Sequence, residues 1–209
     1  MELSDEVKKY FPKDLTPPST LGNVENGFQA LKPYKNSYCT AFILGIMCKP
    51  DCEACVEYNA TGNLDPLSGI DSARFGQGRF KPNAKQKKIL SVHGIEYKNG
   101  QRPALVDNGI QIWNAMSLNL MMALLRCKFT KDNKLGSSLL DYKDQLNDIL
   151  FTEHTTNDKI WADNLDGTGT NFLGKLLTIR LGELVNNKIE QLDMEYLMQP
   201  NNKYVNYSN

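Results

Sequence analysis

No apolar run in this 209-residue chain reaches the about 18 residues that a membrane-crossing helix needs, the longest stretches being Ala41–Met47 and Leu118–Leu125. No membrane partner is expected. Net charge is also lacking: 24 Lys and Arg offset 24 Asp and Glu, which argues against gripping nucleic acid or anionic lipid by bulk charge and leaves a local basic pocket as the alternative. The opening Met1-Glu-Leu-Ser-Asp-Glu-Val-Lys-Lys9 has no apolar core of a secretory signal. A cytoplasmic location is therefore expected, with the five cysteines reduced rather than paired. Internal repeats are missing too. What is present, 41% hydrophobic and 23% charged residues, suits one globular domain over residues 1–209.

Punctuation along the chain divides it. Pro12, Pro17 and Pro18 predict an irregular approach over residues 1–21, with the first regular element near Gly22. Val24, Phe28 and Leu31 then fall at helical spacing, and Pro33 limits that helix. Phe42–Met47 reads as strand-like. Between Asn59 and Arg102 the composition turns to Gly, Asn, Pro and Lys, including the basic run Lys81–Lys88, which predicts loops with one hairpin around Lys98-Asn-Gly-Gln101. Trp113–Phe129 is the strongest helix and the expected core element, followed by a weaker one over Leu139–Leu150 and a third over Phe172–Val185. The tail over residues 200–209 is expected to fray.

Two stretches carry candidate chemistry. Glu25 and Gln29 lie one helical turn apart and Lys32 follows near the same face, an acid, an amide and an amine suited to a polar pocket or to a solvated surface. The second stretch, Thr152 to Lys175, packs four carboxylates, His154, Trp161 and a glycine turn before a helix. Gly167-Thr-Gly-Thr-Asn171 at that helix start can present backbone N–H groups to a phosphate; alternatively, Thr170 or Asn171 is an N-cap and the glycines only turn the chain. Trp161 between Asp158 and Asp163 suits base stacking, or partial core.

The cysteines offer a third possibility. Cys48, Cys52 and Cys55 have the C-x3-C-x2-C spacing of radical-SAM enzymes. With Cys39 they also make a four-thiolate zinc set. Reduced, unliganded thiols are the favoured reading, with His93 an ordinary loop residue, so neither metal nor cofactor is expected.

Glu25-Asn-Gly-Phe-Gln-Ala-Leu-Lys32 resembles the pattern E-H-x-F-Q-A-x-K, with Asn26 in the histidine place. Glu153 to Asp163, Gly167 to Gly174 and Leu176 to Arg180 resemble E-x-T-x-x-D-x-x-W-G-D, G-x-G-x-N-x-L-G and L-L-M-x-x-R. Together they are similar to the NADAR family, the YbiA-like N-glycosidases. Ser72–Gly76 with Arg79, and Trp113–Phe129 ending in Arg126-Cys-Lys-Phe, resemble the connecting segments, so the order holds across residues 24–185. Ala162 and Asn164 stand where the family has glycines, and His154 falls at a variable position. The G-x-x-S-N-F strand before the glutamate motif is not recognisable. Residues 36–111 exceed the usual length and read as a loop-rich insertion.

The resemblance implies a mostly helical α+β single domain of the YbiA-like type, and hydrolysis of an N-glycosidic bond between ribose and a base or amine. The substrate classes are a ribosylaminopyrimidine phosphate of riboflavin synthesis, or ADP-ribosyl-guanine in nucleic acid, whose removal reverses an ADP-ribosylation. Breaking C1–N needs a donor at the leaving nitrogen, negative charge near the oxocarbenium-like sugar, and an activated water or nucleophile. Glu25, Lys32 and Asp158 are the expected catalytic residues. Gln29, Arg74, Trp113, Lys128, Glu153, Trp161, Asp163, Gly169 and Asn171 are expected to bind substrate. The competing reading is a module that binds ADP-ribose or a nucleotide without turnover.

Overall fold

Asn23 starts the first motif helix by accepting the Asn26 backbone N–H on its side chain at 2.7 Å, and helix α2 then runs Val24–Ala30. The computed structural model describes residues 1–48, 51–60, 65–98, 100–156 and 158–199. The expected irregular approach already holds a helix, α1 (Asp5–Lys8), capped by Ser4 and placing Val7 fully inside. The first regular element is thus not near Gly22. A Ser cap, two acids in the first turn and a buried valine suffice for one turn of helix.

Two compact units are distinguishable, residues 1–127 and 128–209. In the first, Phe42–Met47 is not a strand. Its apolar residues belong mainly to α3 (Tyr38–Leu44), which Gly45 ends at φ 61°. A Cβ at Gly45 would meet the Pro66 nitrogen at 2.4 Å, so both the left-handed turn and the close chain approach require glycine. The loop-rich insertion also proves largely helical, with α4 (Glu53–Ala60), α5 (Gly69–Gly76) and α6 (Ala84–Val92). These helices are short, and side-chain caps start α5 and α6. Ser68 accepts the Asp71 N–H, while Asn83 and Gln86 form a reciprocal capping box with both bonds at 2.9 Å. At the expected hairpin, Gln101 N–H bonds Lys98 O at 3.0 Å, but no strand flanks the turn among the described residues, and Asn99 lies outside them.

The long helix α7 spans Gly109–Lys128, starting four residues before its expected Trp113 boundary. Leu118 and Leu120 to Leu125 are all buried, which makes it the core helix anticipated. Among the described residues, β-structure amounts to two isolated bridges, Glu2 with Thr20 and Tyr34 with Leu105, so the architecture is mostly helical. No helix among them is long and apolar enough to cross a membrane.

The second unit contains α8 (Lys134–Leu140), a 3-10 turn at Lys143–Gln145, α9 (Phe172–Asn186) and α10 (Met194–Met198). The helix expected over Leu139–Leu150 is therefore broken after α8. Its apolar members pack nonetheless, since Leu140, Leu146 and Ile149 cover Leu139, Leu181 and Leu184. Arg180 donates twice to Phe129 O at 2.9 and 2.7 Å and once to Glu183, and Lys175 donates to Leu197 O at 2.8 Å at the end of α10. A cation there meets the negative end of a helix. The tail from Pro200 lies outside the described residues.

The Asn26 amide ties three segments of the first unit through its nitrogen, while its Oδ1 has no hydrogen-bond partner among the described residues. Fully buried, its Nδ2 donates to Ile43 O and Leu67 O at 3.0 Å and to Ser72 Oγ at 3.1 Å. It thus fastens α2 to the end of α3, to the segment before α5, and to α5. Asn26→Ala leaves two buried carbonyls without this donor and opens a void, so it should lower unfolding free energy by about 2–4 kcal/mol in chemical denaturation. A loss under about 0.5 kcal/mol, the level of an indifferent surface change, would show that the amide is not a fastener.

Candidate functional site

Within the first unit, a cavity of about 670 Å³ is lined by Lys32, Tyr34, Gly76, Arg102, Trp113 and the start of α7. That volume falls in the range of small-molecule sites. The motif reaches one wall through its last residue, Lys32. α2 presents Glu25 and Gln29 a turn apart, and Gln29 Nε2 donates to Glu25 Oε1 at 2.7 Å. Lys32, just past the helix end, holds its ammonium 5.4 Å from the centre of the Trp113 ring, and Phe28 supports that ring at a centroid distance of 4.6 Å. Pro33 O accepts the Val106 N–H, and Lys35 N–H bonds Ala104 O, closing the wall beside the Tyr34–Leu105 bridge.

Electrostatics single out Lys32. Burial lowers its pKa to about 8, with the Glu25 carboxylate holding it up and the Arg102 guanidinium pushing it down. A neutral amine is therefore present in quantity near physiological pH. Two buried polar atoms beside it, Gln29 Oε1 and Tyr34 OH, have no hydrogen-bond partner among the described residues. Such groups are costly unless something bonds them. Gly76 makes room, because a Cβ there would lie 2.2 Å from Gln29 Oε1 and 3.0 Å from Lys32 Nζ.

Of the expected site residues, Lys32 and Trp113 line the cavity, Glu25 and Gln29 bond each other on α2, and Asp158, Trp161 and Asn171 are not among the lining residues. Arg74 is not part of this wall: it is exposed and pairs with Asp71 at 3.2 Å. Tyr34, Gly76 and Arg102 were not foreseen as site residues. Gly76 had a signal, since a helix-ending glycine after Ser72-Ala-Arg-Phe often marks close approach, whereas Tyr34 and Arg102 had none.

In the second unit, the motif residues fold into a loop that bonds itself. Asp158 Oδ1 accepts the N–H groups of Ile160 and Trp161 at 3.0 and 2.8 Å, and Trp161 meets Phe172 edge-on at 5.9 Å. Asp163 is fully buried, with Oδ2 2.7 Å from His154 Nδ1 and Oδ1 accepting the Leu165 N–H. Gly169 has Ala162 O 2.1 Å from where a Cβ would lie. Lys128 sits over the Phe129 ring at 5.5 Å.

Neither reading of the start of α9 fits, and the phosphate cradle is not available. The N–H groups of Gly169, Thr170, Asn171, Phe172 and Leu173 already donate to Asp163, Lys159, Ala162, Ile160 and Trp161 carbonyls at 2.9–3.1 Å. Nor does the Asn171 side chain cap the helix. Asn171 sits at φ 53°, donating to Phe151 O at 2.8 Å and accepting the Glu153 N–H at 3.2 Å. Its amide thus ties the chain at Phe151 and Glu153 to the start of α9.

The cysteine reading also changes. Cys48, Cys52, Cys55 and His93 place one ligand atom each within 4.8 Å of one another, so the fourth corner is His93 and not Cys39. Cys39 is buried elsewhere, its thiol pushed up to about 12 by burial. His93 is the C-cap of α6 rather than an ordinary loop residue. Sequence separation of nearly forty residues hid it, because a capped polar helix was read as loop.

No family model, curated protein or solved structure matches this chain.

The cavity electrostatics are testable. Glu25→Gln removes the charge that raises the Lys32 pKa, so Lys32 should titrate below 8 in that variant, read as the pH dependence of its acylation by an amine reagent followed by peptide mass analysis. An unchanged midpoint would place Glu25 outside the field of Lys32. The sign for stability follows. Because the folded pKa lies below the unfolded value of 10.5, unfolding takes up a proton between about pH 8 and 10.5, and the penalty for burying the ammonium is relieved as pH rises through that window.

Proposed function

We propose that the chain is an N-glycoside hydrolase of the YbiA-like kind, with its reacting groups in the Lys32 cavity. The observation that carries this reading is a lysine with a pKa of about 8, set against a tryptophan face in a cavity of small-ligand size, within field range of a carboxylate. Arg102, joined by the Lys32 ammonium where water is the nucleophile, supplies positive charge for a phosphate, Trp113 a face for an aromatic base or the sugar, and Tyr34 OH a polar contact for a hydroxyl group. On this reading the fold belongs to the α+β type of that family, and the protein works in the cytoplasm. Its substrate is a nucleotide sugar or an ADP-ribosylated nucleic acid; the neutral net charge favours a small or locally exposed nucleotide.

In the reaction, water or the neutral Lys32 amine adds to the ribose C1 while the C1–N bond breaks and the leaving nitrogen takes up a proton. Glu25 stabilises positive charge at the sugar and moves the proton. Lys32 as nucleophile passes through an imine that water then hydrolyses. Borohydride trapping distinguishes the routes: a reduced sugar adduct on Lys32 marks amine attack, and its absence with turnover marks water. Asp158, in the second unit, is tested by itself: Asp158→Asn keeps the Oδ1 acceptor of the Ile160 and Trp161 N–H groups and removes only the charge.

Glu25→Gln should lower turnover by roughly two orders of magnitude with binding largely kept, as for an acid–base group. Trp113→Ala should instead weaken binding by about 1–3 kcal/mol, the scale of a lost stack. Turnover within a few-fold of the unmutated rate in Glu25→Gln would move the catalytic role off Glu25. Tight ADP-ribose binding without cleavage would favour the module that binds without turnover.

A further inference from the structure

We propose that Cys48, Cys52, Cys55 and His93 form a closed, structural zinc(II) site in the first unit, separate from the Lys32 cavity chemistry. Cys48 Sγ lies 3.3 Å from Cys55 Sγ, and His93 Nε2 lies 3.4 Å from Cys55 Sγ and 4.0 Å from Cys52 Sγ. In a tetrahedron with bonds of about 2.3 Å to sulfur and about 2.0 Å to nitrogen, sulfurs sit about 3.8 Å apart and sulfur and nitrogen about 3.5 Å. The two sulfur–nitrogen distances bracket the second value, the sulfur–sulfur distance is about half an ångström under the first, and all four ligand atoms lie within 4.8 Å of one another. At 3.3 Å the two sulfurs are also well beyond a disulfide bond, of about 2.05 Å.

The surroundings hold the four groups in place. Cys52 and Cys55 flank the start of α4, three residues apart and on one side of it, while Cys48 follows α3. His93 ends α6, its backbone fixed by Asn36 Nδ2 donating to His93 O at 2.8 Å and its ring packed on Tyr38 at 4.5 Å. Leu15, Ala41 and Ile89 pack with Cys48 and Cys55, so the thiols face an apolar setting on one side.

Donor chemistry selects the ion. Three soft thiolates and one imidazole favour zinc over calcium or magnesium, which take oxygen. Four protein ligands leave no open position, which is the structural and not the catalytic arrangement. A multi-iron cluster is disfavoured because ligand atoms all within 4.8 Å leave room for one ion. The radical-SAM reading of the same cysteines falls with it.

Bound zinc would join α4, α6 and the chain after α3, elements whose other ties include the exposed pair of Lys88 with Glu57 at 3.0 Å.

The test uses the whole chain, purified with reductant and without chelator. Elemental analysis should find one zinc per chain, and Cys39→Ser should retain it. Cys52→Ser and His93→Ala should each weaken zinc binding by roughly tenfold or more in competition with a chromophoric chelator. Since a ligand variant can fail to fold, the metal-free unmutated chain is also titrated with cobalt(II), and His93→Cys is measured beside it. Tetrahedral visible bands with sulfur-to-cobalt charge transfer, strengthened in His93→Cys, support the site. Zinc at background level, an octahedral cobalt spectrum, loss of metal in Cys39→Ser, or iron with acid-labile sulfide would each overturn it.

Discussion

A single buried amide organises the candidate cavity of the first unit. Asn26 donates to the chain around three other positions, Ile43, Leu67 and Ser72, and these contacts fix the rotation and height of α2 against α3 and α5. Because side chains three and four apart share a helix face, fixing Asn26 inward also fixes Glu25 and Gln29 at the edge of the same packed layer. Gly76 at the end of α5 then comes close enough that any side chain there would strike Gln29 Oε1 and crowd Lys32. The lysine environment is thus a product of packing. Its low pKa follows first from burial, with Glu25 limiting the shift and Arg102 enlarging it.

The parts legible in sequence were those with local signals. α2, the core of α7 and α9 follow apolar periodicity, and Glu25, Gln29 and Lys32 follow helical spacing. The misread parts were those whose stability comes from caps and turns. α6 has a weak apolar pattern and a strong Asn83–Gln86 box, and reading composition first turned it into loop. That error concealed His93, since a residue is a candidate ligand only once the helix presenting it is placed. At Gly45 the misreading had the opposite cause: the apolar run Phe42–Met47 looks extended, but a left-handed glycine divides it into helix end and turn.

Residues 153–174 show a different gap between pattern and role. Glycines and an asparagine before a helix suggested anion binding, yet the donors are consumed by the carbonyls of residues 159–163 and the asparagine bridges residues 151 and 153. Spacing encodes that loop faithfully, but the spacing serves the loop's own hydrogen bonds. The backbone donors at the start of α9 are therefore spent on the loop itself and form no cradle.

The central claim is that the cavity beside Lys32 breaks an N-glycosidic bond. Its most direct test incubates the purified chain with an ADP-ribosyl-guanine oligonucleotide and, separately, with a ribosylaminopyrimidine phosphate, and measures released sugar by mass spectrometry against the Lys32→Met variant. The account predicts release from one of the two by the unmutated chain and none above background from the variant. Release that persists unchanged in Lys32→Met, or no release from either substrate, would contradict it.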